Sequence, residues 1–128
     1  MGTMTIVPEE LFRGNGYSPA VALGELQGKS IQLTLSITRM MEEQTLEVLI
    51  WGSTDGSQWV DRPIVTLPHR HYCGDYTYTV DLSRHPYLTH LRAEWRLRSW
   101  GHNTAYRLIS FSLHAAEQAE MAMAAGAD

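Results

Sequence analysis

From Ser30 to Arg39 the chain alternates: Ile31, Leu33, Leu35 and Ile37 are apolar, and Gln32, Thr34, Ser36 and Thr38 are polar. Period two is the repeat of a pleated strand, whose successive side chains point to opposite faces. A helix would scatter those apolar residues around its circumference, so this stretch is a strand with one buried face. Such a face needs a second apolar layer to cover it. The remaining sequence supplies more strands and no internal helix, so the second layer is another sheet.

Leu46 to Trp59, LEVLIWGSTDGSQW, reads as the central hairpin. Leu46, Val48 and Ile50 alternate with Glu47, Leu49 and Trp51. Asp55-Gly56 then supplies the dipeptide favoured in type I′ turns, where both central residues need φ > 0. A two-residue loop sets Gly52 opposite Trp59, whose ring would cover the bare glycine on the core side, and Trp51 opposite Val60. Arg62-Pro63 interrupts the return strand and Ile64–Leu67 resumes it, because proline cannot donate to a ladder.

Two further alternating runs follow. Tyr76, Tyr78, Val80 and Leu82 face inward against Thr77, Thr79 and Asp81; Leu91, Ala93, Trp95 and Leu97 face inward against Arg92, Glu94, Arg96 and Arg98. Gly101-His102-Asn103 marks a second hairpin turn, and Tyr106–Ala115 the last strand. The expected fold is an all-β antiparallel sandwich, jelly-roll or immunoglobulin-like, of about eight strands over residues 16–115. Its core holds Ile31, Leu33, Leu35, Ile37, Leu46, Val48, Ile50, Trp59, Val80, Leu91, Trp95, Leu97, Phe111 and Leu113. Residues 1–15 form an N-terminal arm or edge strand before the Gly14-Asn15-Gly16 turn. Residues 116–128, rich in alanine and methionine, form a short helical or flexible tail.

Composition removes several classes of function. A net charge of −4 gives no concentrated basic face for nucleic acid. Cys73 is the single cysteine, so no intramolecular disulfide can form. No apolar run approaches the ~18 residues of a membrane helix, and the first residues lack the pattern of a signal peptide. The expectation is a soluble protein made in the cytoplasm.

The candidate sites are few. His69 and His71 stand on one side of an extended segment, a spacing that can present two metal ligands, but no third ligand is specified locally. Cys73 has no base placed beside it, and a buried small hydrophobe is its ordinary role. No phosphate loop, dinucleotide fingerprint or nucleophile elbow is present, so no enzyme and no cofactor are expected. The suggestive surface is the polar face Arg92, Glu94, Arg96 and Arg98, with Trp100 at its end; Trp51 is a further candidate contact residue. It fits an arginine- and tryptophan-rich subunit contact, an anion or glycan surface, or a solvated ladder of ion pairs. Gly52, Asp55, Gly56 and Trp59 carry the turn.

LEVLIWGSTDGSQW, YCGDYTYTVDLS and YLTHLRAEWRL together resemble small β-sandwich proteins encoded by tailed phages and prophages. Those proteins pair an S-x-DG-x-x-W hairpin with a glycine-led strand and an LRA-x-W strand. The likeness spans roughly Ser18 to Leu113 and is one of strands and turns. It implies a virion or assembly component. The same hairpin, with a later L-R strand, is similar to discoidin-like jelly rolls, which implies a sugar- or headgroup-binding module. The leading expectation is therefore a non-catalytic structural protein whose partner is itself or a larger assembly, such as a virion. A carbohydrate- or small-ligand-binding module, with a glycan as partner, is the alternative.

Overall fold

In the computed structural model, residues 2–99 and 108–118 are described. Nine strands lie among them: β1 (Thr3–Phe12), β2 (Gly16–Tyr17), β3 (Val21–Ala22), β4 (Ser30–Met40), β5 (Gln44–Ser53), β6 (Val65–Thr66), β7 (Gly74–Asp81), β8 (His90–Ser99) and β9 (Ile109–Glu117). Two single turns of 3₁₀ helix, Gly24–Leu26 and Leu82–Arg84, are the only helical pieces described. One sheet runs β1-β9-β4-β7 and the other β2-β8-β5-β6, with β3 beside β8. All strand pairings among the described residues are antiparallel, and the fold is an all-β sandwich.

β4 is an interior strand because its alternation suits two neighbours at once. It pairs with β7 from Ser30↔Asp81 to Ile37↔Gly74 and with β9 from Ile31↔Glu117 to Met40↔Ile109. Ile31, Leu33, Leu35 and Ile37 are buried, and Gln32, Thr34 and Ser36 line the other face. The β9 ladder slips once, between Ile37 and Arg39, where the Thr38 hydroxyl lies 3.2 Å from the Ser110 carbonyl.

Thr3–Phe12, expected as an arm or edge strand, is an edge strand of the first sheet. Ile6 and Val7 reach the core, and the ladder to β9 is broken at two places around Pro8. Phe12 meets Trp95 at 4.6 Å and Phe111 at 4.8 Å between ring centroids, joining β1, β8 and β9. β9 runs past Ala115 to Glu117. The Gly101-His102-Asn103 turn and the tail beyond Gln118 lie outside the described residues. β8 and β9 belong to different sheets.

Every residue expected in the core is buried except Trp59. The Asp55-Gly56 loop is longer than two residues, and this moves the register by one: Ser53, not Gly52, bridges to Trp59. Trp59 consequently lies on the outer side, and Gly52 is covered by others. A Cβ at Gly52 would stand 2.7 Å from Leu88 and 2.8 Å from Ile64. The return strand then touches β5 intermittently, through Val60, Ile64, β6, Leu67 and Arg70.

Leu35 is fully buried between Tyr76 on β7 and Leu113 on β9. Leu35→Ala removes transfer energy and leaves a cavity, so it should cost ~2–5 kcal/mol in chemical denaturation. An unchanged midpoint would contradict this packing.

Candidate interaction surface

The pairing of β5 with β8 is unbroken from Gln44↔Ser99 to Ser53↔His90. Strand alternation then places Glu47, Leu49 and Trp51 on the same outer face as Arg92, Glu94, Arg96 and Arg98. Glu47 stands opposite Arg96, Leu49 opposite Glu94 and Trp51 opposite Arg92. Although this face points away from the core, Leu49 is 6% and Glu94 8% exposed.

A connected set of polar contacts surrounds Glu94. The Glu94 carboxylate accepts from Trp51 Nε1 at 3.0 Å and from Arg96 Nε at 2.9 Å. Arg96 also reaches Glu47 at 3.8 Å, and His69 Nε2 lies 2.9 Å from the other Glu47 oxygen. Hydrogen bonding to Glu94 pushes the Arg96 pKa further up, so its charge is fixed. Trp51, Glu94 and Arg96 thus come together, while His69 pairs with a carboxylate.

Arg92 stands apart from this network. Its guanidinium carbon lies 4.6 Å from the Tyr17 ring centroid and 4.3 Å from that of Trp59. Two aromatic faces therefore hold one cation between them. Its Nε is buried without a hydrogen-bond partner, and no hydrogen bond or ion pair of Arg92 occurs among the described residues. Arg98 is exposed at the far end of the strand, and Trp100 lies outside the described residues.

Tyr17 reaches Arg92 because residues 14–18 clip onto the open side of β8. Ala93 N donates to Ser18 Oγ at 2.8 Å and Leu97 N to Asn15 Oδ1 at 2.8 Å, while Trp95 Nε1 donates to the Gly14 carbonyl at 3.1 Å. Gly16 admits the Trp95 ring, since a Cβ there would approach it to 2.7 Å. Sequence reasoning missed Tyr17 and Glu47 as members of this face. The alternation of β5 already carried Glu47; only the pairing of Gly16–Tyr17 with Trp95 and Glu94 carries Tyr17.

Arg70 was also missed, and it joins the two sheets. Its backbone bridges to Leu46, while its guanidinium lies 4.1 Å from the Tyr76 ring and its Nε donates to Tyr78 Oη at 2.8 Å. His71 and Cys73 border an open cleft of about 690 Å³ together with Met40–Gln44 and Tyr72. Cys73 is exposed, contrary to the expected small buried hydrophobe, because Gly74 starts its strand at the sheet margin. Among the described residues, no three His, Cys, Asp or Glu side chains gather as a metal-ligand set. No helix among them is long and apolar enough to cross a membrane.

The Asp55 loop is built around two side chains. Ser53 Oγ accepts from the amides of Asp55 and Gly56, and Asp55 Oδ1 accepts from those of Ser57 and Gln58 at 2.9 and 2.8 Å. Gly56 takes φ +84°, the conformation glycine tolerates best. The amides of Gln58 and Ser57, then the Ser53 hydroxyl, lower the Asp55 pKa from 3.8 to about 2.

No protein family matches this sequence, and no curated protein does. The fold has solved neighbours. The structure of infectious bursal disease virus strain Gx shares it at 12% identity and TM-score 0.58, over 89% of this chain and 31% of that one. The VP2 subviral particle of the same virus gives 13% identity and TM-score 0.53, over 89% and 31%. Its T13 viral particle gives 16% and 0.54, over 89% and 30%. The chain spans about a third of the length of these neighbours. At such identities the likeness is one of fold: the sandwich is of the kind found in virus-particle proteins, with tailed phages not singled out.

Asp55 gives this surface a pH signature. Its folded pKa lies below the ordinary value, so the loop's stabilisation is complete above about pH 4 and is lost as pH falls through about 2. Carboxyl chemical shifts should titrate near pH 2, and Asp55→Asn should abolish the accompanying Ser57 and Gln58 amide shifts. A midpoint near 4 would contradict the bonding described.

Proposed function

We propose that this protein is a non-catalytic structural component, phage-like in kind, that works by self-association or by docking onto a larger shell or filament. The observation that carries the reading is the shared fold: 89% of the chain matches domains of proteins whose structures are those of virus particles. The outer β5–β8 face adds support. Its arginines and Trp51 are residue types that dominate contact energetics at interfaces. Lysine, which commonly keeps surfaces apart, occurs once in the sequence, as Lys29. Its place of action on this reading is an assembled particle.

Glycan binding has one observation in its favour. Tyr72 is 77% exposed beside the Met40–Gln44 cleft, and such a ring can stack on a sugar. Trp51 and Trp59, by contrast, are engaged with Glu94 and Arg92. Calorimetry at millimolar sugar separates the two readings, since heat that Tyr72→Ala abolishes would favour the glycan.

Light scattering on the full-length protein tests the leading proposal. Mass should rise from monomer to a defined assembly, or to mass action without a plateau, over the micromolar to millimolar range. A monomer throughout, with no partner recovered from its native source, contradicts it.

A further inference from the structure

We propose that the Tyr17–Arg92–Trp59 clamp receives the Met41-Glu42-Glu43 turn of a second copy, making a head-to-tail contact. This rests on the self-association reading above and names its interface. The donor side begins with a cation whose hydrogen-bonding capacity is unspent. Glu94, two residues along β8, accepts from Trp51 and Arg96, so that carboxylate is already committed. The guanidinium of Arg92 is held between two rings, and its planar fork suits a carboxylate bidentately. Pre-ordering by the rings lowers the entropy lost when an anion docks. Tyr17 is 54% exposed and Arg92 half-buried, with its Nε on the buried side, so the clamp meets solvent at its outer margin.

The occupant is argued from complementarity. The turn between β4 and β5 carries two exposed carboxylates, Glu42 and Glu43, neither in an ion pair among the described residues. Beside them Met41 is 38% exposed. A thioether packs well against aromatic rings, and the clamp offers two. Glu43 takes φ +61°, so the turn is sharp and its side chains project at the end of the sandwich. Asp61 is also acidic, but it is two residues from Trp59 and belongs to the clamp's own loop.

Position makes the contact intermolecular. Gln44, next to the turn, pairs with Ser99, whereas Trp51 pairs with Arg92. Seven residues of extended strand separate the two ends, roughly 23 Å at ~3.3 Å per residue. One copy cannot close its own turn onto its own clamp. Two different patches that meet between copies form a heterologous contact, which closes into a ring or continues into a filament or shell.

Charge reversal in the full-length protein tests this. Arg92→Glu alone and the double variant Glu42→Arg/Glu43→Arg alone should each weaken association, read by light scattering, by about thirtyfold or more, as for an interfacial arginine hot spot. An equimolar mixture of the two should restore assembly, because the reversed turn of one fits the reversed clamp of the other and the remaining pair is native. Tyr17→Ala, at an exposed position, opens one side of the clamp and should also weaken association, so the question is answerable should Arg92→Glu not fold. Assembly of wild type that is indifferent to all of these overturns the contact while leaving self-association standing. A mixture of folded variants that stays monomeric also overturns it. A wild type that never assembles overturns both.

Discussion

Ten consecutive rungs join β5 to β8, and both faces of the second sheet depend on their register. A slip of one residue would turn Leu46, Val48 and Ile50 outward and bring Glu47 and Trp51 into the core. The penalty for burying an unpaired carboxylate there is what fixes the ladder. Because the same register aligns Glu47 with Arg96 and Trp51 with Arg92, the outer face is set by the inner one. Packing and surface chemistry are therefore specified together. A substitution that disturbed the core rungs would also separate the polar partners.

The outer face itself treats its two sets of charges differently. Glu94, Arg96 and Glu47 satisfy one another, with Trp51 and His69 completing the set. A half-buried network of this kind adds little net stability, since desolvation offsets much of the attraction, but breaking one member leaves another uncompensated. Arg92 is handled by stacking instead. Its charge is sheltered without being neutralised, and that is the arrangement a surface needs when an anion is to arrive from outside.

Much of this was legible in the sequence because alternation is a geometric signal. Ile31 to Ile37, Leu46 to Ile50 and Leu91 to Leu97 announce both their strands and their buried sides, and the same parity assigns Arg92, Glu94 and Arg96 to the opposite face. Trp59 was misplaced for a local reason. Asp-Gly suggests a two-residue loop, yet Ser53 Oγ and the Asp55 carboxylate together capture four amides and stretch it to residues 54–58. The one-residue change in register sends the indole outward. Tyr17 and Arg70 could not be seen because their roles come from contacts made far along the chain. Gly16 tolerates the Trp95 ring, and Arg70 spans the sheets, but neither fact has a period or a spacing.

The distribution of edges limits how strands of two copies could pair. Along β1, Pro8 and two breaks in register spoil the template that an incoming strand would need. Beside β8, the short β2 and β3 and the Ser18 bonds occupy the ladder; beside β5, β6 and its flanking segments do the same. β7 is the remaining edge, and no strand pairs with its free side among the described residues. Asp75 and Asp81 stand near its two ends, so a second β7 approaching antiparallel about Tyr78 would set Asp75 against Asp81 at each end. Like charges directly opposite each other disfavour that pairing. With edge pairing discouraged, association through side chains of the turns and of the outer β5–β8 face, where Arg92 lies, is the route that costs the fold least.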